Sequence, residues 1–345
     1  MRSARGFTLI EFMIAMAVGL MLLAAVVSVF FGTKQTYRAQ DVSGRMQESA
    51  RFGLSSMELD LRTGGYRGCV GDNLALRAST FAATFNTVLN PAVYSDNYAV
   101  EVQGFEGTGG GWAPGLDPAL AALNPPPDPR SDIVTVRSAQ GAGIPVTLAM
   151  ASKTDNVTVA AATGITAGTR VMISNCVKAS VFTVSAVAGG VTLTHTTADN
   201  STTNLRWAFG TDSFVMPIQT TTYYVGASPV ASADPTGLSL YRVRGSNPPE
   251  EIVDGVDQMK ILYGENLSGA ATDGNVNAEH YVGAGTVASM PNVVSVKVSV
   301  LFRSYDAGAS PVAQTYRFNG NQTTATDLRT RRAYLTTIGL RNRTK

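Results

Sequence analysis

The sequence contains few of the residues that carry catalytic or metal chemistry. It has two histidines, His195 and His280, and two cysteines, Cys69 and Cys176. They are too far apart along the chain for a zinc motif, whose ligands come in closely spaced pairs. No G-x-S-x-G nucleophile motif occurs, and the glycine run at 107–112 lacks the Lys-Ser/Thr of a phosphate loop. We therefore predict that the protein is not an enzyme and uses no cofactor, and that His195, in a Thr-rich alternating segment, faces solvent.

Charge is also scarce, at 15% of residues, with 27 basic residues against 25 acidic ones. This near balance does not favour nucleic acid as a partner. Basic residues do gather after the last acid, Asp327, and they are Arg329, Arg331, Arg332, Arg341, Arg343 and Lys345. Such a group could contact phosphate, an acidic neighbour or only water. We expect it to be solvated and do not expect it to bind nucleic acid.

One long apolar run stands out near the start of the chain. Residues 7–31 contain a single charge, Glu11, and follow Arg2 and Arg5. As a helix this run would span about 38 Å, enough to cross a bilayer core of about 30 Å. A secretory signal peptide would have a shorter apolar stretch with a small-residue cleavage site after it, whereas Gly6 precedes the run.

A plain membrane anchor explains the length of the run and the preceding arginines, but it does not explain Glu11. A charged side chain near the centre of a membrane helix costs about 2.5–3.5 kcal/mol. Cleavage after Gly6 would keep the helix and make Phe7 a new N-terminus about one helical turn from Glu11. The ammonium of one subunit could then pair with Glu11 of its own chain or of a neighbour, which makes a buried carboxylate tolerable.

The segment RGFTLIEFMIAMAVG resembles the class III leader of type IV pilins and type II secretion pseudopilins. The resemblance implies that a prepilin peptidase removes residues 1–6 by cleaving after Gly6 and then methylates Phe7. It also makes Glu11 the assembly glutamate. Phe12 stands where the pattern usually has leucine, which leaves this logic intact.

Beyond the apolar run, the helix is predicted to continue as an amphipathic half over residues 32–64. Apolar residues recur there at three- and four-residue steps, which is typical of one buried helix face: Val42, Met46, Ala50, Leu54, Met57 and Leu61. Gly64 and Gly65 predict its end. We therefore expect a single helix with residues 7–31 in the membrane or filament core and its second half packed on a globular head.

The head, residues 65–345, is predicted to be β-rich. Short β-branched and aromatic runs bounded by turn residues indicate strands at 131–139, 156–162, 169–176, 179–187, 190–197, 220–227, 237–244, 256–264 and 293–304. Residues 153–197 predict an inserted β-hairpin module, and the Gly- and Pro-rich residues 104–130 predict a long surface loop. The fold class is therefore α+β, with the long helix packed on an antiparallel sheet.

Later motifs narrow the resemblance to the PilW-type minor pilins. They are MQESARFGLSSMELDLRTGGYRGC, DSFVMPIQTTTYYV, GLSLYR, VDQMKILYGEN, VVSVKVSVLFRS and RTRRAYLTTIGLRNR, in that order. This resemblance implies a type IV pilin-like fold and a structural role at the tip of a type IV pilus. The protein would be held in the inner membrane with a periplasmic head and then assembled with other minor pilins and the major pilin.

A PilY-type tip adhesin is a further partner that the resemblance implies. The alternatives are a J-type minor pseudopilin of a type II secretion system and, from another class, a membrane-anchored enzyme or carbohydrate-binding module. Loss of a pseudopilin would stop protein secretion and leave surface pili intact. An enzyme would need a pocket with converging titratable groups, which the sequence does not indicate.

Two further candidate sites are a pair of cysteines and a segment rich in Asp and Asn. In an exported protein Cys69 and Cys176 would form one disulfide closing a loop of about 100 residues, and the alternative is two unpaired buried thiols. In TDGNVNAEHY, alternate oxygen-bearing residues resemble a calcium loop: Asp273, Asn275, Asn277 and Glu279. Ala278 replaces the usual glycine, and the bidentate glutamate is absent, so we expect a turn between strands rather than a metal site.

Overall fold

The computed structural model describes residues 8–68, 84–90, 92–229, 236–267 and 277–343. One helix, α1, runs without interruption from Leu9 to Arg62. At 1.5 Å per residue it is about 80 Å long. Its side chains are exposed from Leu9 to Asp41, whereas Met46, Ala50, Met57 and Leu61 are buried. The predicted single helix with an apolar first half and an amphipathic second half is confirmed.

The described residues after α1 are mostly strands, joined by short turns. These strands are β1 Phe85–Thr87, β2 Val102–Gly107, β3 Trp112–Ala113, β4 Ile133–Ala139, β5 Ile144–Leu148, β6 Val157–Val159, β7 Arg170–Ser174, β8 Ala179–Thr183, β9 Ala186–Ala188, β10 Thr192–Thr194, β11 Phe214–Ala227, β12 Leu238–Arg244, β13 Glu250–Asp254, β14 Val256–Glu265, β15 His280–Val282, β16 Val293–Arg303, β17 Thr315–Phe318, β18 Asn321–Thr324 and β19 Arg331–Gly339. A short helix, α2, spans Pro118–Ala121, and 3-10 turns span Tyr94–Asp96, Met290–Asn292 and Arg341–Arg343.

Two antiparallel sheets build the head around α1. The first has the order β13-β12-β11-β4-β2-β3, and the second has the order β15-β14-β16-β19. Their inner faces and the second half of α1 share one hydrophobic core that includes Tyr223, Met259 and Val298. At Gly53 a Cβ would lie only 3.0 Å from Val253 Cγ1, so the glycine lets α1 approach β13 closely. The α+β, pilin-like fold class is confirmed.

The insertion forms a second core beside the first sheet. Strands β5, β6, β9 and β10 pair in one layer, while β7 pairs with the first residues of β11 on one side and with β8 on the other. Between them lie buried apolar side chains that include Val157, Phe182 and Leu193. The 14-residue β11 therefore joins two layers, because Phe214–Pro217 pair with the insertion and the later residues pair with β4 and β12.

The segment 104–130, which the sequence predicts to be a long loop, contains regular structure. It includes most of β2, then β3 and α2, with cis peptide bonds before Pro114 and Pro125. The indole Nε1 of Trp112 donates a hydrogen bond to the Ser131 carbonyl (3.2 Å), and Leu120 is buried. These contacts fold the segment back onto the first sheet.

Candidate functional site

The N-terminal end of α1 is closed by a capping box. Thr8 is the N-cap, and its Oγ1 accepts a hydrogen bond from the Glu11 N–H (3.3 Å). Glu11 Oε2 in turn accepts from the Thr8 N–H (2.9 Å) and from the Thr8 hydroxyl (3.0 Å). Glu11 therefore has partners within its own chain, at the helix end whose dipole favours a negative charge. Gly6 and Phe7 lie outside the described residues, so their processing and the pairing of Phe7 with Glu11 stay predictions.

The first half of α1 presents an apolar surface that nothing in the described chain covers. By length and composition this is a helix that could cross a membrane, and no residue of its apolar window is buried. Phe12, Met21 and Phe30, for example, are each more than 60% exposed. An apolar surface of this extent marks a contact with a membrane or with other proteins.

The second half of α1 is fixed to the first sheet by polar contacts as well as by its apolar stripe. The Tyr223 hydroxyl of β11 donates to Asp60 Oδ2 (2.6 Å). Arg242 of β12 donates to the Ser56 hydroxyl (3.1 Å). Burial raises the pKa of Tyr223, so the phenol stays protonated and acts as a donor. These contacts set the rotation of α1 about its own axis relative to the head.

The end of α1 is joined to the last described residues by a group that we call the C-terminal clasp: Arg67, Glu101, Asn342 and Arg343, of which Glu101 and Arg343 are buried. Arg343, which is 2% exposed, donates to Glu101 Oε2 (2.9 Å) and to the Val293 carbonyl (3.0 Å). Arg67 forms a second ion pair with Glu101. The Asn342 side chain donates to the Thr63 carbonyl (3.3 Å) just after α1. The clasp thus ties the 3-10 turn Arg341–Arg343 to the end of α1 and to Glu101, the residue before β2.

The prediction that the basic tail is solvated is wrong for three of its arginines. Arg329, Arg331 and Arg343 are each less than 10% exposed. Arg331 pairs with Asp257 (2.8 Å) and Asp327, and the Arg331 guanidinium lowers the pKa of Asp327 to about 2. Most of these partners come from distant parts of the chain, so a local count of charges could not show them. Arg332 and Arg341 are exposed, and Lys345 lies outside the described residues.

The prediction that His195 faces solvent is also wrong. His195 follows β10 directly and is 3% exposed. Its Nε2 lies 2.8 Å from the Asp155 carbonyl, and its ring centroid lies 5.1 Å from that of Phe182. The imidazole therefore completes the core of the insertion. His280 lies elsewhere, with its Nε2 3.1 Å from Glu265 Oε2.

The calcium candidates are only partly described. Asp273 and Asn275 lie outside the described residues, whereas Asn277 and Glu279 lead into β15. The Glu279 N–H donates to the Glu265 carbonyl (2.8 Å), which continues the pairing of β15 with β14. Within the described ranges, no group of three or more His, Cys, Asp or Glu side chains could hold a metal ion. Calcium binding by this loop stays untested.

The predicted disulfide likewise has one described partner, because Cys69 lies outside the described residues. Cys176 follows β7, and the described part of the chain contains no free cysteine. The Ser174 hydroxyl, two residues before Cys176, donates to the carbonyl of Arg67, two residues before Cys69 (3.2 Å). The fold thus brings the flanking residues together, and the bond itself stays a prediction.

An open groove of about 1180 Å³ lies beside α1, where the helix leaves the head. Its helix wall runs from Arg38 to Ser55, and its other wall is formed by 253–255 and 302–306. Phe52 and Tyr305 are 60% and 56% exposed at its rim. The charges along it have both signs and do not converge on one point, so the groove suits contact with another chain better than a small-molecule reaction.

Two family models match the chain. Residues 1–27 match the prokaryotic N-terminal methylation motif, and residues 218–342 match the type IV pilus-assembly protein W family, PilW. The two matches support a PilW-type pilin. The PilW match begins within β11 and ends at Asn342 of the clasp, so it includes the whole second sheet, while the insertion lies outside it. No curated protein and no solved structure matches the chain.

The leader motif predicts a role for Glu11, whereas no motif predicts the clasp. Glu101 and Arg343 are 242 positions apart; Glu101 belongs to none of the quoted motifs, and Arg343 is only the last residue of RTRRAYLTTIGLRNR. The RTGGYRG stretch at 62–68 predicts the end of the helix and carries part of the family resemblance, but neither property indicates an ion pair. In the structure its Gly65 has φ +78°, and a Cβ there would lie 2.8 Å from Glu101 Oε2. The need for a glycine at position 65, next to the carboxylate of Glu101, is the local sequence signal that accompanies the clasp.

Proposed function

We propose that this PilW-type pilin is a structural minor pilin that primes or caps the tip of a type IV pilus. The observation that carries the proposal is the division of α1, whose second half is fixed in the head while its apolar first half has no cover in the described chain. Such a surface can be covered by lipid before assembly and by neighbouring pilin helices afterwards. Domains of the matched families are structural, which agrees with a non-catalytic role.

In this proposal, processing creates a positive charge close to Glu11. Prepilin peptidase cleaves after Gly6 and methylates Phe7, so the new ammonium lies one residue before the N-cap Thr8. Glu11 can then exchange its contacts with Thr8 for the ammonium of its own or a neighbouring chain. In an apolar surrounding such a pair is strongly favoured over an unpaired charge, so it sets the axial position of one helix against the next.

The proposal places the head in the periplasm while α1 anchors the chain in the inner membrane, and at the pilus tip after assembly. The partners are other minor pilins, the major pilin and a PilY-type tip adhesin. The size of the chain, 345 residues, supports a low-copy tip position rather than a repeating place in the shaft. The PilW match supports a pilus over a type II secretion system, and deleting the gene and scoring both pili and secretion separates the two.

The intact mass of the mature protein tests the processing. We expect the loss of residues 1–6 and the gain of one methyl group, and an unprocessed N-terminus would refute the proposal. The same measurement tests the disulfide that we propose between Cys69 and Cys176. Reduction before denaturing analysis should then raise the mass by two hydrogen atoms.

Replacement of Glu11 tests the assembly role. Glu11→Ala should leave a stable membrane protein that no longer co-purifies with the other minor pilins, because the helix N-termini lose the carboxylate that fixes their register. Glu58→Ala is the matched control, since Glu58 is exposed on the same helix within the head and does not line the groove beside α1. Co-purification of Glu11→Ala at the level of Glu58→Ala would contradict the pairing role.

A further inference from the structure

The outer edge of β19 is an open strand edge. β19 ends the second sheet, and it pairs with β16 continuously from Arg331 to Gly339, with no bulge. The Ser304 N–H donates to the Thr330 carbonyl, and the Leu340 N–H donates to the Val294 carbonyl. Thr330 and Leu340 are both even-numbered, and hydrogen-bonded pairs recur at every second residue of an antiparallel ladder. The N–H and C=O groups of the even-numbered residues of β19 therefore point towards β16. The N–H and C=O groups of the odd residues therefore point away from the sheet.

The first outward position, Arg331, is already hydrogen-bonded to a side chain. At Arg331 the outward N–H donates to Gln314 Oε1, and the outward carbonyl accepts from Gln314 Nε2 (2.9 Å). The carboxamide of Gln314 thus takes the place of one peptide unit of a neighbouring strand. No hydrogen bond among the described residues does the same for the outward groups of Ala333, Leu335 or Thr337.

The other free sheet edges of the described chain are protected and this one is not. β13 is short, is bulged against β12 and carries Glu250, Glu251 and Asp254. β1, β3, β9 and β15 have three residues or fewer, and β17 and β18, which pair only with each other, have four each. Natural edge strands are blunted by charge, proline, bulges or short length. Residues 333–339, AYLTTIG, have neither charge nor proline, and Leu335 is 61% exposed on the solvent face.

We propose that β19 is a strand-addition site that receives an extended segment of a neighbouring subunit in the minor-pilin complex. The occupant supplies alternating backbone donors and acceptors to Ala333, Leu335 and Thr337, and it places an apolar side chain beside Leu335. This inference rests on the proposed function, and it adds a head-to-head contact to the packing of the helices.

The direction of α1 argues against β19 of a second copy as the occupant. Arg332 contacts Ser43, and Asn342 contacts Thr63, so β19 and α1 run in the same direction. Antiparallel pairing of two β19 strands would therefore make the two α1 helices antiparallel. Their apolar halves would then extend to opposite sides and could not share one membrane. A segment from a different subunit has no such restriction.

Hydrogen exchange of the full-length chain in detergent tests the proposal, alone and in complex with its co-expressed minor pilins. Alone, the amides of Ala333, Leu335 and Thr337 should exchange fast, while those of Tyr334 and Thr336 are already slow. In the complex, all five should be slow. A complex in which the three odd amides stay fast overturns the inference and leaves the proposed function standing, whereas failure to form any complex overturns both.

A proline variant provides the second measurement. Thr337→Pro removes an outward donor and leaves the ladder with β16 intact, since edge strands accept proline at such positions. We expect association to weaken about tenfold relative to Thr337→Ala, which loses the side chain but keeps the donor. Equal association of the two variants contradicts the proposal. The proposal would also be overturned if protection of these three amides in the isolated chain increased with protein concentration. That result would show that a second copy of this chain occupies the edge.

Discussion

Replacing Arg343 with methionine should strongly destabilise the head. Arg343 is 2% exposed. Methionine would occupy a similar volume, but it would leave three hydrogen-bond acceptors without this donor. These are Glu101 and the carbonyls of Met290 and Val293. Removing one partner of a buried ion pair costs about 3–5 kcal/mol.

The remaining ion pair decides where in this range the loss should fall. Arg67 still pairs with Glu101 in Arg343→Met, so the carboxylate keeps one counter-charge and the loss should lie near 3 kcal/mol. Glu101→Gln should cost more than Arg343→Met, because the guanidinium groups of Arg343 and Arg67 then both lose their carboxylate. Screening by salt should change neither loss much, since buried pairs are little screened.

Denaturant unfolding of the full-length chain in detergent, followed by fluorescence of Trp112 and Trp207, measures these losses. Arg317→Met is the matched control, because Arg317 is exposed in the hairpin of β17 and β18. Its free energy of unfolding should stay within about 0.5 kcal/mol of the unchanged protein. If Arg343→Met behaves like this control, the clasp does not hold the head together and the reasoning is refuted.

Two further predictions concern the head. Because Arg331 lowers the pKa of Asp327 from 3.8 to about 2, the pair stabilises the fold above pH 4 and this contribution is lost as the pH falls towards 2. Asp327→Asn should therefore flatten the fall in unfolding free energy over that interval, and an unchanged acid transition would contradict the assignment. Tyr263→Phe should raise stability by about 1 kcal/mol, because the buried hydroxyl has no hydrogen-bond partner among the described residues. A loss of unfolding free energy would show that the hydroxyl is satisfied.

Local patterns were enough to predict much of the fold. The stripe that contains Met46, Ala50 and Met57 depends on neighbours three and four residues apart, and these residues are buried as predicted. The segments 131–139, 237–244 and 293–304 likewise contain β4, β12 and β16. Strand β11 was predicted only from residue 220, although it begins at Phe214. Its first residues pair with the insertion, a contact that periodicity cannot show.

The errors concern polar residues whose environment is set by distant contacts. Arg331 and Arg343 look like a solvated tail in the sequence, but each meets a carboxylate supplied by another element. His195 follows an alternating strand, yet its ring turns into the core of the insertion. A side chain that can be either solvated or paired is decided by tertiary structure. Glu11 differs from these residues, because its leader motif and its contacts with Thr8 are both local.

The contacts of α1 explain how an event at the membrane can reach the head. The helix is held at Asp60 by Tyr223 of the first sheet, and the Thr63 carbonyl is held by Asn342 at the end of the second. A shift of the helix along its axis would have to break both contacts and move its apolar stripe out of the shared core. The head therefore moves with α1 as one body. If Glu11 sets the axial position of α1 in the assembly, it also sets the height at which β19 meets the neighbouring subunit.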